Sequence, residues 1–98
     1  MNRTEAIRRL RPFADALRAR GATSLYLFGS TARNEAGSKS DLDLFLDYDP
    51  KSKFNALDLV AAKRLLQRSL GIKVDLTTRE GLHPLLRKKI EAEATRVF

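Results

Sequence analysis

Apolar residues recur at helical spacing at Ile7, Leu10, Phe13, Ala14 and Leu17, with Arg8, Arg9, Arg11 and Arg18 mostly on the other side. That pattern predicts an amphipathic helix over 3–19. Pro12 lacks an N–H and crowds the preceding turn, so the helix is expected to bend there or to start near Arg11. Gly21, after Arg20, supplies its stop. Leu25 to Phe28 is apolar without alternation, which predicts a strand over 24–28 covered on both faces. A second strand opens at Ser40-Asp41-Leu42-Asp43 and runs to Leu46, ended by the turn signal Asp47-Tyr48-Asp49-Pro50. Residues 54–70 predict a long helix with Gly71 past its end. It carries two apolar stripes, one of Phe54, Leu57, Ala61 and Leu65 and another of Leu59, Leu66 and Leu70. Either both stripes pack, between the sheet and the first or last helix, or one faces a partner chain. Ile72, Val74 and Leu76 alternate with Lys73 and Asp75 in a third strand, and a last helix is expected from Pro84 through Leu85, Leu86 and Ile90. The order helix, strand, short helix, strand, helix, strand, helix predicts a small α/β (α+β) sandwich, a single domain over 1–98.

Composition narrows the class. With 98 residues, 43% hydrophobic and 32% charged, the chain fits one soluble globular core. No run approaches the ~18 apolar residues of a membrane span, and no signal-peptide pattern opens the chain. The absence of cysteine excludes disulfides and thiolate zinc sites. A cytoplasmic location is the expectation. The net charge of +7 admits nucleic acid as a partner, although a solvated arginine face on the first helix accounts for much of it.

The chemistry concentrates between Leu27 and Leu44, LFGSTARNEAGSKSDLDL. Gly29-Ser30, where a strand gives way to a short helical piece, offers backbone N–H groups and a positive dipole end to phosphate. Asp41 and Asp43 share one strand face, their Cα atoms roughly 6.6 Å apart. Two carboxylates so placed suit shared divalent cations, and the phosphate seat a dozen residues upstream points to a metal–nucleotide site. Asp47 and Asp49 read as structural, His83 as local to a helix start, and Arg87, Lys88 and Lys89 as a solvated patch.

Gly29-Ser30-Thr31-Ala32-Arg33 followed by Ser40-Asp41-Leu42-Asp43-Leu44 resembles the signature of the DNA polymerase β-like nucleotidyltransferases, and most closely their minimal, stand-alone members. The resemblance spans nearly the whole chain, since Asp75 in Lys73-Val74-Asp75-Leu76 falls at the family's third acidic position. It implies a mixed three- to four-stranded sheet with helices packed on it. Asp41, Asp43 and Asp75 are then the catalytic and metal-binding acids, holding two Mg²⁺ ions, and Gly29, Ser30, Arg33 and Ser40 bind the nucleotide, ATP. It also implies a HEPN-class toxin as partner, in a hetero-oligomer where the domain acts as antitoxin by adenylylating the toxin. Two alternatives stay open: a non-catalytic antitoxin acting by binding, and transfer to RNA or a small molecule. Asn34 stands where the family has Gly, and asparagine is the side chain best suited to positive φ.

Overall fold

The computed structural model describes residues 1–37 and 41–98. Helix α1 (Arg3–Leu10) is capped by the Asn2 side chain, which accepts from the Glu5 N–H (2.8 Å). The expected bend is present. A 3₁₀ turn, Arg11–Phe13, carries Pro12, and the chain resumes as α2 (Ala14–Arg20), closed by Gly21 at φ 118°. Pro12 has no N–H to give the helical ladder, so the ladder tightens for one turn.

Strand β1 (Ala22–Phe28) leads into the four-residue helix α3 (Gly29–Ala32), and β2 spans Leu42–Tyr48. Asp41 thus precedes β2, which runs two residues beyond the expected end at Leu46. Helix α4 (Ala56–Leu70) opens with a capping box in which Asn55 and Asp58 satisfy one another's backbone donors, and Gly71 closes it. Phe54 falls outside the helix and stacks on Tyr48 (centroids 5.0 Å apart). Strand β3 is Val74–Thr78, α5 is Arg87–Glu93 and β4 is Thr95–Arg96. The last helix therefore begins three residues later than Pro84 suggested; the Leu86 N–H turns back to the His83 carbonyl (2.9 Å), and Leu85 is 88% exposed. The short β4 was not expected.

The sheet order is β3-β2-β1-β4, with β1 antiparallel to both neighbours and β2 parallel to β3 through the α4 crossover. Alternation sends Leu25, Leu27, Leu42, Leu44, Leu46, Val74 and Leu76 into one core with Ala6, Leu10, Leu17, Ala62, Leu66 and Leu70 of the helices. Of the two α4 stripes the second is the deeper, with Leu66 and Leu70 buried and Leu59 partly so; in the first, Phe54, Ala61 and Leu65 are partly buried and Leu57 is 79% exposed, as is the neighbouring Val60 at 44%. Both stripes therefore pack in part, and Leu57 is the member left in solvent. The other sheet face carries Tyr26, Phe28, Asp43, Phe45, Asp47 and Asp75. Phe45 is fully buried there, stacked on Tyr26 (4.9 Å). The Arg79 guanidinium lies over both rings, 5.0 Å from each centroid. Among the described residues, no helix is long and apolar enough to cross a membrane.

Candidate active site

The site is built where β1 ends. Antiparallel register sets Phe28 opposite Asp43, and parallel register on the other side sets Asp43 opposite Asp75. Two acids 32 positions apart in sequence therefore sit side by side on one sheet face, next to the Phe28–Gly29 corner. Gly29 has φ +75°, and a Cβ there would overlap Asp43 Oδ2 and stand 3.1 Å from its Cγ. Glycine is thus favoured twice, by the left-handed backbone and by the Asp43 carboxylate, which would have to turn away from any Cβ.

Asp41 lies one position before β2, exposed at the same edge. The Leu42 N–H donates to the Lys73 carbonyl (3.0 Å), which brings Lys73 beside Asp41, and Lys73 Nζ is 3.7 Å from Asp41 Oδ2. Asp43 feels the cluster most. Burial pushes its carboxyl pKa up, the charges of Asp75 and Asp41 push it further, and Arg33 opposes them. The carboxylates are aligned but not drawn together: among the described residues no three acidic or imidazole groups stand at metal-site spacing. The donor set is entirely hard carboxylate oxygen on one edge, which fits Mg²⁺ and not a thiolate- or imidazole-seeking metal.

This cluster has a measurable consequence. Asp43 binds its proton more tightly folded than unfolded, so its stabilising contribution is complete below its ordinary value of 3.8 and is lost as pH rises through the elevated pKa. Asp43→Asn is accordingly expected to raise the melting temperature of the metal-free protein at pH 7 by about 2–5 °C, with no gain at pH 3. Calorimetry at the two pH values checks this; a melting temperature that falls at pH 7 would count against the charge-crowded cluster.

The phosphate seat differs from expectation in one respect. Helix α3 is a single turn, too short for a strong macrodipole, so any anion affinity must come from the individual N–H groups of the corner. No side chain among the described residues caps its start. Ser30 is half-buried, and its carbonyl accepts from the Glu35 N–H (2.8 Å). Arg33 does not point freely at the corner. Its Nε pairs with Glu35 (2.9 Å) and a terminal nitrogen with Glu93 of α5 (3.1 Å), which raise its pKa. Ser40 lies outside the described residues.

Asn34 does adopt positive φ, at 57°. It also does what glycine could not: its Oδ1 accepts from the Arg3 N–H (2.8 Å), while the Arg3 guanidinium reaches the Ala32 carbonyl (3.1 Å), docking α1 on the corner. Sequence reasoning missed Lys73 and Arg79. Lys73 shares the strand parity of Asp75, a signal that gained meaning only once β2 and β3 were paired. Asp47 is structural as expected, held by Arg79 Nε (2.8 Å) and a second Arg79 nitrogen (2.9 Å) and by Ser24 Oγ (3.0 Å). His83 is local, its Nδ1 accepting from the Leu85 N–H (3.2 Å). An open cleft of about 630 Å³, lined by Arg18, Arg20, Gly21, Asp49, Ser52 and Lys53, lies at the opposite end of β1 from the acids.

Comparison with known proteins agrees with this geometry. The profile of the nucleotidyltransferase domain family matches residues 7–97. A candidate protein adenylyltransferase of Methanocaldococcus jannaschii is 37% identical over 98 residues, covering all of both chains. The solved structure of a candidate minimal nucleotidyltransferase superposes with TM-score 0.80 at 33% identity, over 97% of this chain and 95% of that one. A chain from the complex of a tri-AMPylated Shewanella oneidensis HEPN toxin with an MNT antitoxin shares the fold, with TM-score 0.65 at 16% identity over 94% of this chain and 71% of its own. With the motif-bearing corner, the paired acids and the mixed sheet all in place, the chain belongs to the nucleotidyltransferase domain family.

Proposed function

We propose that this domain transfers AMP from ATP to a hydroxyl of a HEPN-class protein and thereby neutralises it. The observation that carries the reading is the register that sets Asp43 beside Asp75 and against Gly29, with Asp41 at the same edge. Asp41, Asp43 and Asp75 would hold Mg²⁺, two ions in the full arrangement. Bound Mg²⁺ supplies charge neutralisation for the triphosphate and the departing pyrophosphate. The chain's own groups do the positioning. Backbone N–H groups at Gly29 and Ser30 donate to phosphate oxygens, and the Ser30 hydroxyl adds a donor. Arg33, held by Glu35 and Glu93, contributes its field to the corner. Asp75, at the exposed edge, takes the acceptor hydroxyl's proton as the acceptor oxygen bonds to the α-phosphorus and the bond from that phosphorus to the β-phosphate bridge breaks. The products are an AMP–protein ester and pyrophosphate.

Support for a protein acceptor comes from the names borne by similar proteins, a protein adenylyltransferase and a complex with an AMPylated toxin. Exposed Leu57, Val60, Leu85 and Leu86 give such an acceptor apolar surface to meet. The test is transfer of label from α-³²P-ATP, in Mg²⁺, to a purified HEPN-class protein. Label is expected on the acceptor with the native chain and absent with Asp43→Ala; label no greater than in that control would overturn the reading. The exposed Leu57 and Val60 of α4 favour a second reading, neutralisation by binding alone. Under it, the double variant Asp41→Ala, Asp43→Ala would still protect cells from the toxin.

A further inference from the structure

We propose that Lys73 is a resident counter-ion at Asp41 that a divalent cation must displace, so that Lys73 sets how tightly this edge takes metal. The inference rests on the reading of Asp41 and Asp43 as metal ligands. Its basis is the arrangement of four side chains. The parallel register pairs Leu42 with Val74 and Asp43 with Asp75, and the Leu42 N–H bonds to the Lys73 carbonyl. Lys73 therefore occupies the position beside Asp41, on the same face as both acids of the 43–75 row. Three corners of this block are carboxylates and the fourth is an ammonium, 3.7 Å from Asp41 Oδ2. Asp43 and Asp75 have no ion-pair partner among the described residues; Arg33, tied to Glu35 and Glu93, acts on Asp43 through its field, so among the described residues Lys73 is the cation paired directly with an acid of this edge.

An ion pair this open contributes little to folding: the Lys73 side chain is 71% exposed and that of Asp41 47%. Its weakness suits a displaceable partner. A flexible four-carbon stem lets the ammonium leave without moving the strand. Against a divalent ion, however, a unit positive charge a few ångströms away is a significant repulsion even in water, and it works against binding twice. It occupies the Asp41 oxygen and it raises the local potential. Coulomb's law with solvent screening places the effect at roughly three- to tenfold in metal affinity at low ionic strength.

The probe is Mn²⁺, titrated into the full chain at low salt and at ~0.5 M salt, with free ion followed by electron paramagnetic resonance. Native protein, Lys73→Met, Lys73→Arg and Asp43→Asn are compared. Lys73→Met is expected to bind Mn²⁺ about three- to tenfold more tightly at low salt, the gain shrinking at high salt, while Lys73→Arg stays within about twofold of native. Equal or weaker binding by Lys73→Met, with binding lost in Asp43→Asn, would overturn the counter-ion role and leave the metal site standing. A gain that does not respond to salt would also overturn it, because relieved crowding rather than charge would be the cause. Undiminished binding by Asp43→Asn would remove the metal-site reading, and this inference with it.

Discussion

Under the proposed function, Gly29→Ala is expected to reduce AMP transfer by about 10²-fold or more while the domain stays folded. The added Cβ collides with Asp43 Oδ2, and the nearest relief is rotation of the carboxylate away from the corner. Misplacement of a reacting group by about 1 Å is enough for a loss of that size. The left-handed backbone adds strain of about 1–2 kcal/mol for any side chain. Gly71→Ala separates these effects. Gly71 has φ +70° but open space around its would-be Cβ, so it should share the loss of stability and keep the transfer rate. Thermal melts and label transfer on the two variants check this. Equal activity of Gly29→Ala and native protein would show that the corner and the Asp43 carboxylate do not act together.

Arg79→Met is expected to destabilise the fold by about 2–4 kcal/mol, lowering the melting temperature by on the order of 10–20 °C. Arg79 grips Asp47 at two points, bonds to Glu91 of α5 and covers the Tyr26–Phe45 stack. Methionine keeps apolar cover on the rings but leaves Asp47 with only the Ser24 hydroxyl and Glu91 with only the looser Arg87 pair (3.5 Å), so the loss is chiefly electrostatic. Its pH dependence follows. The Arg79 hydrogen bonds hold the Asp47 pKa below its ordinary 3.8, with the Ser24 bond assisting, while burial opposes them. That stabilisation is present above 3.8 and disappears as pH falls through the lowered value. The deficit of Arg79→Met should therefore narrow in strong acid. Denaturant melts at pH 7 and pH 2.5 measure it, and a deficit unchanged by acid would mean that packing, not the ion pair, is what Arg79 contributes.

The common face of Asp41 and Asp43 was legible because it is local. Asp41 and Asp43 lie two positions apart on one extended segment, so alternation alone aligns them. Gly29 was legible as a turn residue, and Asn34 as a positive-φ substitute. Less was visible wherever an element was short or its partner distant. Two residues of β4 carry no periodicity, and they become a strand only because β1 offers an unpaired edge at Tyr26 and Leu27. Pro84 is a fair helix start by local preference, yet the chain uses it in a turn, where the Leu86 N–H returns to His83 and α5 begins at Arg87. The α4 stripes were equally apolar in sequence; burial runs deepest along Ala62, Leu66 and Leu70 because a helix laid on one sheet face turns one side to it most fully.

By itself the sequence determined the longer helices and strands, the glycine corner and the shared face of Asp41 and Asp43, since each follows from preferences acting within a few residues. Tertiary structure alone decided that Asp75 meets Asp43, that Lys73 meets Asp41, that Arg33 is tied to α5 and that Arg79 locks the far end of the same face. Those meetings depend on strand order and register across the α4 crossover, which are settled by the burial of a whole sheet face and leave no mark on the residues between.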